Sequence, residues 1–179
     1  MLELELSALL EALLLASNQP MTEQELLESF ESEQKPAVTD LRSALAQLQA
    51  QCADRGIELV QVASGYRFQV KQQWMPWIHR LSAEKAPKYS RSLLETLALI
   101  AYQQPLTRGE IEDIRGVAVN TAIIRTLEER EWIRVTGHKE VPGRPALYGT
   151  TKQFLDYFGL EKLEDLPPLP PLVETEVPL

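Results

Sequence analysis

The sequence NQPMTEQEL at residues 18–26 recurs as QQPLTRGEI at residues 103–111, and this repeat is the strongest indication of the fold. In each copy a proline ends one helix, because its ring cannot continue the helix and it restricts the residue before it. An apolar residue and a threonine follow, and a glutamate stands three positions after the threonine. Threonine and glutamate at that spacing form a capping box, which starts a helix. Each copy therefore predicts a helix end followed at once by a helix start.

The residues around the first copy predict a three-helix unit that ends in a β-hairpin. Leucines at three- and four-residue steps predict a helix before residue 17, and a similar pattern predicts another over residues 38–54. Apolar residues then alternate over residues 57–62 and 66–70 around a Ser-Gly turn, which predicts two strands.

The second copy lies within the same order of elements. An apolar helix precedes it, a helix is predicted over residues 120–130, and strands are predicted at residues 132–136 and 146–148. Three helices followed by a hairpin is the winged-helix arrangement, so we predict a mainly α fold with small β-hairpins, of the α+β class. The predicted parts are two tandem winged-helix domains, residues 1–82 and 83–160, and an acidic, proline-rich tail, residues 161–179, expected to be extended or disordered.

The charge distribution disfavours a DNA-reading protein. The chain has a formal net charge of −8, and the acidic excess lies in residues 1–82 and 161–179, whereas residues 83–160 are close to neutral. Acidic surfaces repel a phosphate backbone. Only the second domain could offer a local basic face.

The composition also predicts a cytoplasmic protein without catalytic, cofactor or metal sites. The chain has two histidines and one cysteine, and it contains no glycine-rich phosphate loop and no serine-nucleophile motif. Cys52 lies in an apolar stretch and is expected to be a small core residue. The first residues carry carboxylates where a signal peptide carries lysine or arginine, and the apolar stretches are too short to span a membrane.

Two local clusters are candidate contact surfaces. Lys139 and Arg144 flank a proline- and glycine-containing loop between the last two strands, where they could contact phosphates or an acidic partner, or where the prolines could simply stiffen the loop. Trp74 and Trp77 are expected to cover the core of the first domain. The alternative is that they form an exposed apolar anchor for a partner or a second copy of the chain.

Several motifs of the second domain, and one at the start of the tail, resemble those of the segregation and condensation protein B family. They are YSRSLLETLALIAYQQP at residues 89–105, TRGEIEDIRG at 107–116, VPGRPALYGTTK at 141–152, FLDYFGL at 154–160 and LEDLPPL at 163–169. The resemblance covers about half the chain. The stretch VAVNTAIIRTL at residues 117–127 is less polar than is common in that family, so local partner contacts could differ there.

The resemblance implies a non-enzymatic, tandem winged-helix subunit of bacterial SMC condensin that acts in chromosome condensation and segregation. It implies a homodimer formed through the first domain, binding to the kleisin subunit ScpA, and contact with the SMC ATPase through that kleisin. The expected location is the cytoplasm, at the nucleoid, with DNA contacted at most weakly or indirectly.

From these observations we predict an adaptor and assign candidate residues to its contacts. Dimerisation is assigned to Leu2, Leu6, Leu9, Trp74 and Trp77; kleisin binding to Ile114, Val117, Val119, Arg144, Pro145 and Tyr148; and possible nucleic-acid contact to Lys139 and Arg144. The alternative function is a winged-helix transcription regulator that reads bases with Asn120 and Arg125.

Overall fold

The computed structural model describes residues 3–81 and 88–168, which form two units of similar architecture. The first unit consists of helices α1 (Glu3–Ala16), α2 (Glu23–Glu28) and α3 (Val38–Gln51), strands β1 (Ile57–Val62) and β2 (Gly65–Val70), and helix α4 (Met75–Leu81). The second consists of α5 (Arg91–Gln103), β3 (Leu106–Thr107), α6 (Arg108–Arg115), α7 (Thr121–Glu129), β4 (Ile133–His138), β5 (Ala146–Thr150) and α8 (Lys152–Phe158). Short 3-10 turns lie at Gln72–Trp74 and Leu163–Asp165. The chain is therefore mixed α/β, with small antiparallel sheets.

Both predicted capping boxes are confirmed. The Thr22 hydroxyl accepts from the Glu25 amide at 3.2 Å, and the Glu25 carboxylate accepts from the Thr22 amide at 2.7 Å. Thr107 and Glu110 repeat these bonds at 3.3 and 2.7 Å. Each box satisfies backbone N–H groups that the first turn of a helix leaves without partners.

The repeated stretch also contributes an extended segment that the sequence patterns did not predict. Leu106 in β3 pairs with Tyr148 in β5, and in the first unit Met21 forms an isolated bridge with Tyr66 at 2.7 and 2.9 Å. Gly65 makes this bridge possible, because its φ is +125° and a Cβ there would lie 2.2 Å from the Met21 carbonyl oxygen. The hairpin of each unit is thus attached to the residue just before the second helix.

Each unit has its own apolar core. The first is built mainly from leucines of the three helices, including Leu10, Leu26, Leu41 and Leu48. The second surrounds Ile100, Ile111, Leu127 and Trp132. Burying one such side chain stabilises a fold by about 1.5–3 kcal/mol, so these residues hold the helices together.

Some predicted boundaries differ from the structure. Helix α3 ends at Gln51 with Cys52 as its C-cap, earlier than residue 54. Helix α4, built from the tryptophan cluster, and helix α8 were not predicted. The prediction of an extended or disordered tail is wrong for residues 161–168, because Leu163 and Leu166 pack against the second core. The other tail residues, 169–179, lie outside the described residues.

Hydrogen bonds join the two units at the β1–β2 turn. The Ala63 amide donates to the Leu160 carbonyl at 2.9 Å, and the Ser64 amide donates to the Asp156 carboxylate at 3.0 Å. Gln61 donates to Glu161 at 3.1 Å. Within residues 3–81 and 88–168, no helix is both long and apolar enough to cross a membrane.

Candidate partner-binding surface

A groove of about 560 Å³ lies between α5 and α6 in the second unit. We call it the α5–α6 groove, and it is lined by Glu95, Ala98, Leu99, Tyr102, Gln103, Ile114, Arg115 and Val117. Ile114 and Val117 are 48% and 56% exposed. Apolar side chains that are exposed together in a concave surface are typical of a site that binds another polypeptide.

One end of the α5–α6 groove is held by a charged cluster. Arg115 is almost fully buried, and its guanidinium donates to Glu95 at 2.9 Å and to Ser92 at 3.0 Å. Arg91 donates to the other oxygen of Glu95 at 2.7 Å. Hydrogen bonds from Arg91 and Arg115 hold the pKa of Glu95 below its usual value, so the carboxylate stays ionised. Two guanidinium groups surround one carboxylate, which leaves this end of the groove with a local positive charge.

A second groove, of about 290 Å³, lies on the other side of α5. We call it the α5–α8 groove, and it is lined by Leu94, Leu97, Ala98, Ala101, Tyr102, Phe154, Phe158, Leu160, Leu166 and Pro167. Ala98 and Tyr102 line both grooves. The Tyr102 hydroxyl donates to the Pro167 carbonyl at 2.5 Å, so the end of the described chain lies beside the residue that separates the grooves.

The α5 residues of these grooves were not predicted as contact residues from the sequence. Leu94, Ala98 and Tyr102 are apolar or aromatic positions outside the buried stripe of Leu93, Leu97 and Ile100. A helix with apolar residues on more than its core-facing stripe can contact partners on its other faces. The wide apolar surface of this helix was the feature of the sequence that could have indicated these grooves.

The structure separates the six residues predicted to bind the kleisin. Ile114 and Val117 line the α5–α6 groove, and Arg144 and Pro145 lie in the β4–β5 loop. Val119 is fully buried in the second core, so its prediction as a contact residue is wrong. Tyr148 is partly buried and pairs with Leu106, and this burial raises the pKa of its hydroxyl.

The candidate nucleic-acid residues differ in how far their charges are compensated. Lys139 donates to Glu110 at 2.5 Å, and this bond, with those from Thr107, lowers the pKa of Glu110 to about 2. The Lys139 charge is therefore balanced within the chain. Arg144 is mostly exposed, and its contact with Glu140 is long, at 3.4 Å. Arg144 remains the better of the two for an external contact.

The residues proposed to read bases make contacts of their own on α7. The Asn120 side chain accepts from the Ala122 amide at 2.9 Å, which makes Asn120 the N-cap of this helix. Arg125 donates to Glu129 at 2.8 Å. A base contact by Asn120 would require the loss of the helix cap, and acidic neighbours on α7 oppose phosphate binding.

The candidate dimerisation residues fall into two groups. Leu6 is buried in the core of its own unit, at 4% exposure, so its prediction as an interface residue is wrong. Leu9, Trp74 and Trp77 are exposed, and the two indole rings lie 5.7 Å apart. The expectation that the tryptophans cover the core is therefore wrong, and they form an exposed apolar surface. Leu2 lies outside the described residues.

Residues that could serve catalysis or metal binding are scattered. Among residues 3–81 and 88–168, no group of three His, Cys, Asp or Glu side chains is close enough to hold a metal ion. Cys52 is 2% exposed and belongs to the interior, as predicted.

Exposed apolar grooves beside internally paired charges are typical of a subunit that binds other proteins. The family model for "Segregation and condensation complex subunit ScpB" matches residues 8–169. The chain belongs to this family.

Two curated relatives agree with the family match. A segregation and condensation protein B homolog from Coxiella burnetii is 49% identical, over 98% of this chain and 84% of the relative. Segregation and condensation protein B from Syntrophotalea carbinolica is 40% identical, over 95% of this chain and 85% of the relative. The crystal structure of ScpB from Mycobacterium tuberculosis is 32% identical and covers 89% of this chain and 98% of its own, with a TM-score of 0.41.

Proposed function

We propose that the chain is a non-enzymatic adaptor subunit of a bacterial SMC–kleisin condensin that supports chromosome condensation and segregation. Its second unit binds a segment of the kleisin ScpA, and the kleisin connects it to the SMC ATPase. The observation that carries this proposal is the α5–α6 groove, where Ile114 and Val117 are exposed in a protein whose family is described as a complex subunit.

We propose the same domain organisation that the sequence predicts. Residues 1–82 and 83–160 are each a winged-helix domain, with three helices and a hairpin in the predicted order. The packing of Leu163 and Leu166 supports extending the second domain beyond residue 160. The protein acts in the cytoplasm, at the nucleoid.

Co-purification with the kleisin of the same organism tests the adaptor role. The two full-length proteins are expressed together, and the mass of the purified complex is measured by light scattering. A complex with more than one copy of this chain is expected. If the correctly folded chain and kleisin elute separately at micromolar concentration, the adaptor role is wrong.

Substitutions in the α5–α6 groove test the binding site. Ile114→Glu and Val117→Glu place a charge on an apolar wall, so each should weaken kleisin binding at least ten-fold, a loss of about 1.4 kcal/mol or more. Val135→Glu is the matched control, because Val135 is a similarly exposed apolar residue outside the groove. Equal affinities of all three variants and the unmodified protein would place the kleisin elsewhere.

Homodimerisation through the first unit is the second part of the proposed function. The exposed Leu9, Trp74 and Trp77 support it, because large aromatic side chains on a surface are typical of protein interfaces. Direct DNA contact is confined in this proposal to Arg144 in the β4–β5 loop. The paired charges on α7 disfavour the alternative of a transcription regulator.

A further inference from the structure

Hydrogen-bond donors at the positive end of the α5–α6 groove remain available to a partner. One oxygen of Glu95 accepts from Nε of Arg91 at 2.7 Å, and the other accepts from a terminal amino group of Arg115 at 2.9 Å. Within residues 3–81 and 88–168, the two terminal amino groups of Arg91 donate to no acceptor, and this side chain is 94% exposed. Arg91 is therefore anchored through Nε and open at its outer end.

Arg115 fixes the geometry of this end of the groove. Its side chain lines the groove and is only 8% exposed. Besides Glu95, its guanidinium contacts the side-chain oxygens of Ser92 at 3.0 Å and Thr96 at 3.3 Å, so three residues of α5 hold one buried cation of α6. Because the buried guanidinium holds Glu95 in place, Glu95 can in turn orient Arg91 at the edge of the groove.

The charges at this end of the groove do not cancel. Two guanidinium groups contact one carboxylate, so the cluster lacks one negative charge. On α7, Arg125 and Glu129 form a pair with the same spacing, at 2.8 Å, in which one cation meets one anion. An arginine that is anchored through Nε can still present its two terminal amino groups to a second carboxylate as parallel hydrogen bonds. The cluster therefore favours an incoming carboxylate.

The apolar walls beside this charge favour a protein segment over a nucleic acid. Interfaces with nucleic acids are more polar and more positively charged than interfaces with proteins, and Ile114 and Val117 would remain largely uncovered by a phosphate backbone. The groove follows α5 from Tyr102 to Glu95, which at 1.5 Å per residue is roughly 10 Å. A segment in the groove can therefore contact the apolar walls and reach the positive end within about two helical turns.

We propose that Arg91 selects the occupant of the α5–α6 groove by binding a carboxylate. The segment recognised there carries apolar side chains and an aspartate or glutamate within about two helical turns of them. Glu95 and Arg115 are positioning residues, because they act on the partner through Arg91. The inference rests on the proposed function in that the segment belongs to the kleisin, and it deepens that function by giving the chemistry that the groove recognises.

Charge reversal at Arg91 tests the selection with the full-length kleisin as the probe. Arg91→Glu should weaken binding roughly ten-fold at about 0.1 M salt, and raising the salt to about 1 M should narrow the difference, because salt screens exposed charges. Arg125→Glu is the matched control, since Arg125 is also exposed and also donates to a glutamate four positions later, but lies outside the groove. It should change the affinity less than about two-fold. A glutamate is favourable in the first turn of α5, so the variant should fold.

Two results of this experiment would overturn the inference and leave the kleisin proposal intact. One is an unchanged affinity of Arg91→Glu for the kleisin. The other is an equal loss of affinity in Arg91→Glu and Arg125→Glu, because the effect would then come from the overall charge of the protein and not from the groove.

A peptide selection decides the inference without the kleisin. Random short peptides displayed on phage are selected against the full-length protein, and those that still bind Ile114→Glu are discarded, so that only peptides that depend on the groove remain. These should be enriched in aspartate and glutamate, whereas selection against Arg91→Glu should enrich lysine and arginine. Equal charge in the two pools, or the absence of groove-dependent peptides, would overturn the inference. An acidic pool together with a kleisin that does not bind would refute the kleisin as the partner and support the selection of a carboxylate.

Discussion

The backbone amide of Ser64 donates a hydrogen bond to the carboxylate of Asp156 across the two units, at 3.0 Å. Asp156 is 8% exposed, so this carboxylate is largely withdrawn from water at the end of α8. A buried polar group is costly unless it is hydrogen-bonded, and the β1–β2 turn provides the donor. Of the three hydrogen bonds that join the units at this turn, this one therefore depends on a largely buried carboxylate.

Asp156→Ala should weaken the contact between the units, because it removes the acceptor for the Ser64 amide and leaves only the bonds of Ala63 and Gln61. We expect a larger radius of gyration in small-angle X-ray scattering and faster proteolysis within residues 82–87. Asp156→Asn keeps an acceptor oxygen in the same place and should keep the compact arrangement. Identical scattering from all three proteins would show that this bond does not hold the units together.

Gly65→Ala should destabilise the first unit by about 2–4 kcal/mol, because the new Cβ would clash with the Met21 carbonyl and the φ of +125° is strained for alanine. Gly109→Ala is the control, since no atom lies within 4 Å of its added Cβ. Gly109 lies in α6, so this change should stabilise the protein by about 0.5–1 kcal/mol. Urea unfolding monitored by circular dichroism gives both values, and a neutral Gly65→Ala would contradict the close approach.

Acid should weaken the second unit through Glu110. Its folded pKa is about 2, below the ordinary value of 4.5, so its contribution to stability is complete above pH 4.5 and is lost as the pH falls toward about 2. Glu110→Gln removes the titrating group and should flatten this part of the profile. Urea midpoints measured from pH 5 to about pH 2 check the difference. Parallel profiles for the two proteins would count against the capping interaction with Thr107 and Lys139.

Thr107→Ala should lower the free energy of unfolding of the second unit by about 1 kcal/mol, the usual effect of losing an N-cap. Thr22→Ala removes the equivalent cap in the first unit, where the threonine is exposed rather than buried. The first substitution should therefore have the larger effect, because Thr107 is also buried. Thermal unfolding of both variants, with Thr107→Ser as the conservative control, shows which substitution lowers the free energy of unfolding more.

Trp77→Asp should convert the proposed dimer into a monomer, because a charge on the exposed tryptophan surface cannot be buried without a partner. The folded monomer should keep its stability, since Trp77 is more than half exposed within its own chain. Val141→Asp, in the β4–β5 loop, is the control. Light scattering over a range of concentrations measures the masses, and a dimer that survives Trp77→Asp would require a different interface.

The features that the sequence predicted correctly depend on interactions between residues that are close together in the chain. The capping boxes of Thr22 and Thr107 depend on residues three positions apart, so they are visible in the sequence and are confirmed. The pairing of Met21 with Tyr66 depends on how the hairpin packs against the helices, and no local sequence pattern predicts it. For this reason the extended segments before α2 and α6 were missed.

Which face of an apolar element is buried was harder to predict. Leu6 and Val119 are apolar residues that could either contact a partner or pack in a core. The packing of each unit buries both of them. Trp77 shows the opposite outcome. It lies on α4, which follows the hairpin in the chain, and the core of the first unit is filled by other residues, mainly leucines. The grooves beside α5 could not be predicted from the sequence, because they depend on the distances between helices in the folded chain.

The hydrogen bonds at the β1–β2 turn also have a mechanical consequence. They join two units that each have a separate core, so a pulling force applied across the chain meets a few polar bonds before it reaches either core. Small contacts of this kind open at lower free energy than a core does. A force that pulls residues 3–81 away from residues 88–168 should therefore open this contact before it unfolds either core.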